Sequence, residues 1–198
     1  MSDFTPTRSV VLELKDERRA MQEGYVFLDE KCLLLAGEML RGLTRYGELQ
    51  RAFLTAWEAA VAALQRAVAR HGLEGLQVCP PADLGAAAVR RAARSLMGVA
   101  LQQAEFAAEA VPVPPGIDRS PEVEVCRRAF RELLACAAPL AAVAGNLTRL
   151  EQEYRRAVRR ARALQDVLLP ELDHTLYDIE TRLEELEQED AIWMRHGK

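Results

Sequence analysis

NLTRLEQEYRRAVRRARALQDVLLPELDHTLYDIETRLEELEQEDAIWMR, residues 146–195, carries apolar side chains at Leu147, Leu150, Tyr154, Val158, Ala161, Leu164, Leu168, Leu172, Leu176, Ile179, Leu183, Leu186 and Trp193. Nearly every step is three or four residues, which draws one narrow stripe along a single long helix. At a rise of 1.5 Å per residue that helix is roughly 75 Å long. A lone helix cannot bury such a stripe, so a second long helix is required.

Working outward, the partner stands at the other end of the chain. From Val11 the core-type positions run Val11, Leu14, Arg18, Met21, Tyr25, Leu28, Cys32, Leu35, Met39, Gly42, Tyr46, Leu49, Phe53, Ala56, Ala60, Ala63 and Ala67. Steps of three and four alternate throughout, the heptad pattern of a left-handed supercoil. Arg18 interrupts the seam and is expected to snorkel or to meet an acid. Gly24, Gly37, Gly42 and Gly47 lower helix propensity and permit close backbone approach. Thr7 reads as the N-cap and His71-Gly72 as the stop.

The segment between the helices changes character, with Gly75, Pro80, Pro81 and Gly85 breaking the chain. Leu84 to Arg94 reads as a short helix or an irregular connection. Leu96–Leu101 and Ala110–Pro114 read as the arms of a hairpin-like excursion, and Pro114-Pro115-Gly116 as a turn. Ser120-Pro121-Glu122 has the form of N-cap, N1 proline and acidic first turn. Pro139 is expected to kink or divide the second helix near Ala135–Ala138, and Pro170 to bend it without stopping it. The predicted fold class is therefore all-α. An N-terminal helix (7–71) and a C-terminal one (121–195) form an antiparallel two-helix coiled coil, with a compact middle segment (72–120) containing short helices and a possible small β-hairpin.

Composition agrees and narrows function. Of the 198 residues 49% are hydrophobic but only 6% aromatic, and the formal net charge is −4. This is no basic footprint for nucleic acid. Cys32, Cys79, Cys126 and Cys136 form no CxxC pair, and three histidines far apart in sequence make no metal-ligand pattern. Phosphate-loop, dinucleotide, zinc-protease and nucleophile-elbow motifs are all absent, so neither catalytic residues, cofactor nor metal is expected. The opening MSDFTPTRSV has no apolar h-region, and no run of eighteen uncharged apolar residues occurs, which predicts a soluble chain without direct membrane insertion. Charge is banded: Arg149, Arg155, Arg156, Arg159, Arg160 and Arg162 precede acids from Glu171 to Asp190. Such bands favour docking and register more than raw affinity.

Both ends carry specific motifs. Pro6-Thr7-Arg8 with Leu14, Ala20, Gly24-Tyr25, Phe27-Leu28 and Lys31 resembles the first helix of the D subunits of rotary V-type (archaeal/vacuolar, A/V-type) ATPases. Arg159-Arg160-Ala161-Arg162-Ala163-Leu164, Leu169-Pro170, Thr175, Ile179, Leu183-Glu184-Glu185 and Glu187 are similar to that family's closing helix. Ser95-Leu96-Met97-Gly98-Val99 is similar to a segment before its middle hairpin. The chain departs from the pattern at Asp29-Glu30, where bases are usual, and at Arg162 and Gln188.

The resemblance implies a non-catalytic rotor shaft, cytoplasmic and peripheral to the membrane. Its implied partners are the catalytic A and non-catalytic B subunits of a hexamer, the small F subunit and a membrane-side stalk protein of the C/d type. It also implies that Arg8, Arg18, Gly24, Tyr25, Leu28, Lys31, Arg155, Arg159, Arg160, Arg162, Leu164 and Pro170 contact partners or stiffen the shaft. The alternative is a helical scaffold or adaptor unrelated to rotary ATPases.

Overall fold

The computed structural model describes residues 7–79, 88–107 and 120–196. Helix α1 spans Arg8–Gln77, strand β1 Ala88–Leu96, strand β2 Val99–Ala107, helix α2 Pro121–Ala163, a π-turn Leu164–Leu168, and helix α3 Leu169–His196. The residues fall into two compact units: one holds the chain up to Ala36 and from Glu153 onward, the other Gly37–Gln152.

In the first unit Val11 and Leu14 of α1 form a buried cluster with Leu172, Leu176 and Ile179 of α3, flanked by Val10, Met21 and Leu183. Thr7 starts α1 as expected: its hydroxyl accepts from the Val10 N–H at 3.3 Å and its carbonyl from Val11 at 3.2 Å. The helices run antiparallel, since Arg8 pairs with Glu187, Lys15 with Glu180 and Lys31 with Glu153. From Arg8 to Lys15 both partners step by one heptad in opposite directions, which ties the ion pairs to the seam.

The seam holds along α1. Every heptad position from Val11 to Ala67 is buried or half-buried except Arg18, which stays exposed and meets Asp173. On the closing stretch three expected positions are exposed, the first of them at the π-turn. Leu168 is 40% exposed, whereas Leu169 is buried. The cause is the π-turn, in which the Leu169 N–H donates to the Leu164 carbonyl five residues back. In an α-helix the Pro170 ring would strike the Asp166 carbonyl and leave it without a donor. The wider turn relieves that clash at the cost of one extra residue. The stripe steps by five from Leu164 to Leu169 and then by three to Leu172, so it returns to phase. Leu186 and Trp193 also leave the stripe, at 46% and 77% exposure. Glu187 already faces Arg8, the first residue of α1, so these side chains lie where the described partner helix ends.

In the second unit the seam residues from Ala56 onward are small. Ala60, Ala63 and Ala67 are almost completely covered. An alanine is covered only by atoms that come near its backbone, so this part packs closely. The tightest approach is at Gly42, where an added Cβ would lie 2.9 Å from Leu147 Cδ2. Gly24 is different, with only Leu164 Cδ1 at 3.8 Å, ordinary contact distance. The close approach expected of the glycines is therefore demanded at Gly42 and not at Gly24.

Pro139 does not divide α2, which continues through it from Pro121 to Ala163. At Gly72 the backbone leaves helical values (φ 69°, ψ 170°), and one more helical turn follows to Gln77. Residues Ala88–Arg94, expected as short helix or irregular chain, instead form β1. The expected arm Leu96–Leu101 straddles the β1–β2 turn, and the other expected arm, Ala110–Pro114, lies outside the described residues. β1 and β2 pair antiparallel from Ala88↔Ala107 to Leu96↔Val99, joined by Met97-Gly98 with φ 47° and 85°. Positive φ at both positions is the two-residue turn whose twist matches a hairpin. The ladder also lets Val99 and Leu101 point into the unit while β1 remains almost wholly exposed.

Two outcomes test this packing. Gly42→Ile should destabilise the protein by about 1–3 kcal/mol through overpacking against Leu147, while Gly24→Ala should stabilise it by up to about 1 kcal/mol; chemical denaturation measures both. Deleting Leu168 together with Pro170→Ala should restore steps of four and three across the junction. That double variant should keep its helix content by circular dichroism and its melting cooperativity, whereas the deletion combined with native Pro170 should lose them.

Candidate partner-contact surface

The residues singled out in the sequence separate into those held within the chain and those facing solvent. Lys31 is half-buried on α1 and donates through Nζ to Glu153 Oε1 at 2.5 Å, both side chains being less than a quarter exposed. This contact holds the Glu153 carboxyl below the usual carboxylate range, with Arg156 and Arg160 adding to the effect. Arg8 forks onto Glu187 Oε1 through Nη2 (2.6 Å) and Nε (3.2 Å), fully in solvent. Tyr25 and Leu28 are half-buried on the seam, and Leu164 packs towards Gly24 while opening the π-turn. Pro170 is exposed.

Arg155, Arg159, Arg160 and Arg162 are all exposed on α2. The Arg159 Nε donates to the Arg155 carbonyl at 3.3 Å, which lays that side chain along the helix. The acidic band on α3 is partly neutralised by α1: Asp173 meets Arg18, Glu180 meets Lys15 at 2.7 Å, and Glu187 meets Arg8. These pairs are exposed and screened by solvent, so they add little stability. They select register more than they stabilise. In the same unit α1 exposes Val26, Phe27, Leu33 and Leu34 beside the acids Asp29 and Glu30. One helix thus presents a basic surface and the other an apolar surface edged with acid.

The second unit has two polar hubs that sequence reading missed. Glu38, with its side chain only 13% exposed, accepts from Arg41 Nη2 at 2.7 Å and also pairs with Arg94 of β1. Its carboxyl is pulled down chiefly by the Arg41 hydrogen bond and then by Arg94. Glu122, at the start of α2, is lowered first by its backbone N–H and then by Ser120 and Arg70. Ser120 is buried and its hydroxyl lies 2.6 Å from His71 Nε2, so the end of α1 and the start of α2 are tied together. Asn146, polar in an otherwise apolar turn, was the one available signal for the hairpin's anchor.

An open cavity of about 660 Å³ lies under the hairpin, lined among others by Arg41, Arg45, Arg94, Gln102, Asn146 and Leu150. Its arginines are matched by Glu38 and Glu48. Among the described residues no three His, Cys, Asp or Glu side chains gather as a metal site. His174 faces Asp178 at 3.6 Å on an open helix surface. Among the described residues the arrangement suits docking, and these cavities bring together no nucleophile, base and oxyanion donors. Helical residues Pro121–Arg195 include an 18-residue window of mean hydropathy 1.4, apolar enough by composition to cross a membrane, of which 11% is buried in the protein.

Three depressed carboxyls set an acid sensitivity. Folded Glu38, Glu122 and Glu153 release protons more readily than in the unfolded chain. Their stabilisation is complete above the ordinary glutamate value of about 4.3 and is lost as pH falls through the lower folded values. The melting temperature should fall through this acid range. Glu153→Gln should lower it at neutral pH and flatten the acid limb. An acid limb as steep as the native one would remove Glu153 from that role.

Comparison with known proteins covers the same ground. Residues 10–198 match the family of ATP synthase D subunits. The V-type ATP synthase D subunit of Thermotoga neapolitana is 26% identical over 194 residues, covering 98% of this chain and 96% of that protein. The A-type ATP synthase D subunit of Methanopyrus kandleri is 27% identical, with 100% and 87% covered. That of Pyrococcus abyssi is 28% identical, with 98% and 92% covered.

Proposed function

This chain belongs to the family of ATP synthase D subunits, and from that premise we propose that it is the central rotor shaft of an A/V-type rotary ATPase. Family membership supports a non-catalytic central-stalk role. The observation that carries the reading is a match over residues 10–198 in which both the seam and its antiparallel partner are included.

The mechanism follows from the surfaces. A shaft needs no reactive group; it must present different chemistry to the hexamer in different directions as it turns. At the level of Lys31–Glu153 the first unit offers arginines on α2, and apolar side chains with Asp29 and Glu30 on α1. Catalytic interfaces of A and B subunits meeting these surfaces in turn would be biased towards different conformations. Antiparallel helices locked by Lys31–Glu153 and by heptad-phased ion pairs resist sliding past each other, which is what torque transfer requires. The second unit, with its hairpin and the partly covered apolar face of α2, is assigned to the F subunit and to the membrane-side stalk protein. The chain is placed in the cytoplasm, peripheral to the membrane, with its apolar window covered by partners and not by lipid.

The test is reconstitution with the cognate A, B and F subunits. Omitting this chain should abolish assembly-dependent, ion-coupled ATP turnover; turnover and assembly that proceed unchanged would overturn the assignment. Replacing Arg159, Arg160 and Arg162 together by Glu should lower hexamer affinity by about tenfold or more while leaving the isolated chain's melting temperature within a few degrees.

A further inference from the structure

The two edges of the hairpin are treated differently. On β2 the outer edge is closed by α2. Asn146 acts as a strand residue would: its Nδ2 donates to the Gln102 carbonyl and its Oδ1 accepts from the Gln102 N–H, both at 2.7 Å. Arg149 then donates through Nε to the Ala100 carbonyl at 3.0 Å and through Nη2 to Asn146 Oδ1 at 2.6 Å. Helix side chains have taken the place of a third strand.

These bonds also fix which backbone groups of β1 have no partner among the described residues. In an antiparallel ladder a residue turns both its N–H and its C=O to the same side, and successive residues alternate. Gln102 and Ala100 turn theirs towards α2, so their partners Ala93 and Ser95 turn away from β2 as well. The same parity holds for Val89 and Arg91, opposite Phe106 and Ala104. Val89, Arg91, Ala93 and Ser95 thus present a row of donors and acceptors outward. All four are exposed. The edge also carries charge: Arg91 in the row and its neighbour Arg90, which lies opposite Glu105 of β2, make no ion pair among the described residues, whereas Arg94 is committed to Glu38.

We propose that the free edge of β1 binds an extended, acidic segment of a neighbouring protein of the complex as a third strand of this sheet. An incoming strand would complete the hydrogen bonds of Val89 to Ser95. Its carboxylates would face Arg90 and Arg91, since opposite charges across adjacent strands stabilise and like charges repel. That repulsion excludes a second copy of β1 as the occupant. A long open edge is a liability unless it is charged or paired; here the charge rejects its own kind and selects a partner of opposite sign. The proposal rests on the central-stalk reading for the source of the strand.

Amide hydrogen exchange on the full chain, alone and in the assembled cognate complex, tests it. On assembly the Val89, Arg91, Ala93 and Ser95 amides should slow by about tenfold or more, while Arg90, Ala92 and Arg94, already bonded to β2, should change little. Arg91→Pro removes one outward donor at an edge position and leaves the β2 ladder intact. It should abolish that protection, as should Arg90→Glu with Arg91→Glu. Assembly with outward amides as fast as in the free chain, or with inward and outward amides slowed alike, overturns the strand proposal alone. Protection that appears on concentrating the isolated chain would assign the edge to a second copy and overturn it too. A native chain that fails to assemble overturns the stalk reading, and the proposal with it.

Discussion

A heptad stripe on a 70-residue helix cannot be buried by that helix itself, and everything else in this protein answers that constraint. Only a second helix running alongside supplies a matching surface. The chain provides it from its own C-terminal part, antiparallel, in each of the two units. Where the stripe is leucine-rich, near Val11 and Leu14, a small apolar cluster forms with Leu172, Leu176 and Ile179. Where it is alanine-rich, from Ala56 to Ala67, the helices come closer; at Gly42, between Met39 and Tyr46, even a methyl group would disturb Leu147.

Apolar stripes alone slide, so register is set by polar contacts. Arg8–Glu187 and Lys15–Glu180 recur at one heptad and are too exposed to add much stability. Lys31–Glu153 is better shielded and pins the first unit at its far end. In the second unit the corresponding pins are Arg70–Glu122 and the His71–Ser120 contact. The π-turn belongs to the same logic. Pro170 disfavours a regular turn before it, and an extra residue in the stripe allows both the proline and the seam to be kept.

The surfaces proposed for docking then occupy what packing leaves over. The arginines of α2, the apolar and acidic face of α1, and the hairpin edge are all outside the seam. Asp29 and Glu30 illustrate this separation: both are exposed and neither is a seam position.

Helix identity, antiparallel pairing and the seam positions of α1 were legible from residue spacing, because a periodicity of three and four is a property of one helix read along its own chain. The same holds for the cap at Thr7 and for the start of α2 after Ser120, although the Ser120 hydroxyl itself is taken up by Glu122 and His71. The sequence by itself also pointed to the family through motifs at its two ends. The exposed Leu168, the hairpin at Ala88–Ala107, the hub at Glu38 and the Asn146 anchor were decided only by tertiary structure. Each depends on which distant groups come within hydrogen-bond or steric reach, and alternating arginine and alanine in β1 carries no hydrophobic period to announce a strand. Spacing determines which face of a helix is buried; what that face meets, and which backbone edge is left open, is settled by three-dimensional neighbours far apart in the chain.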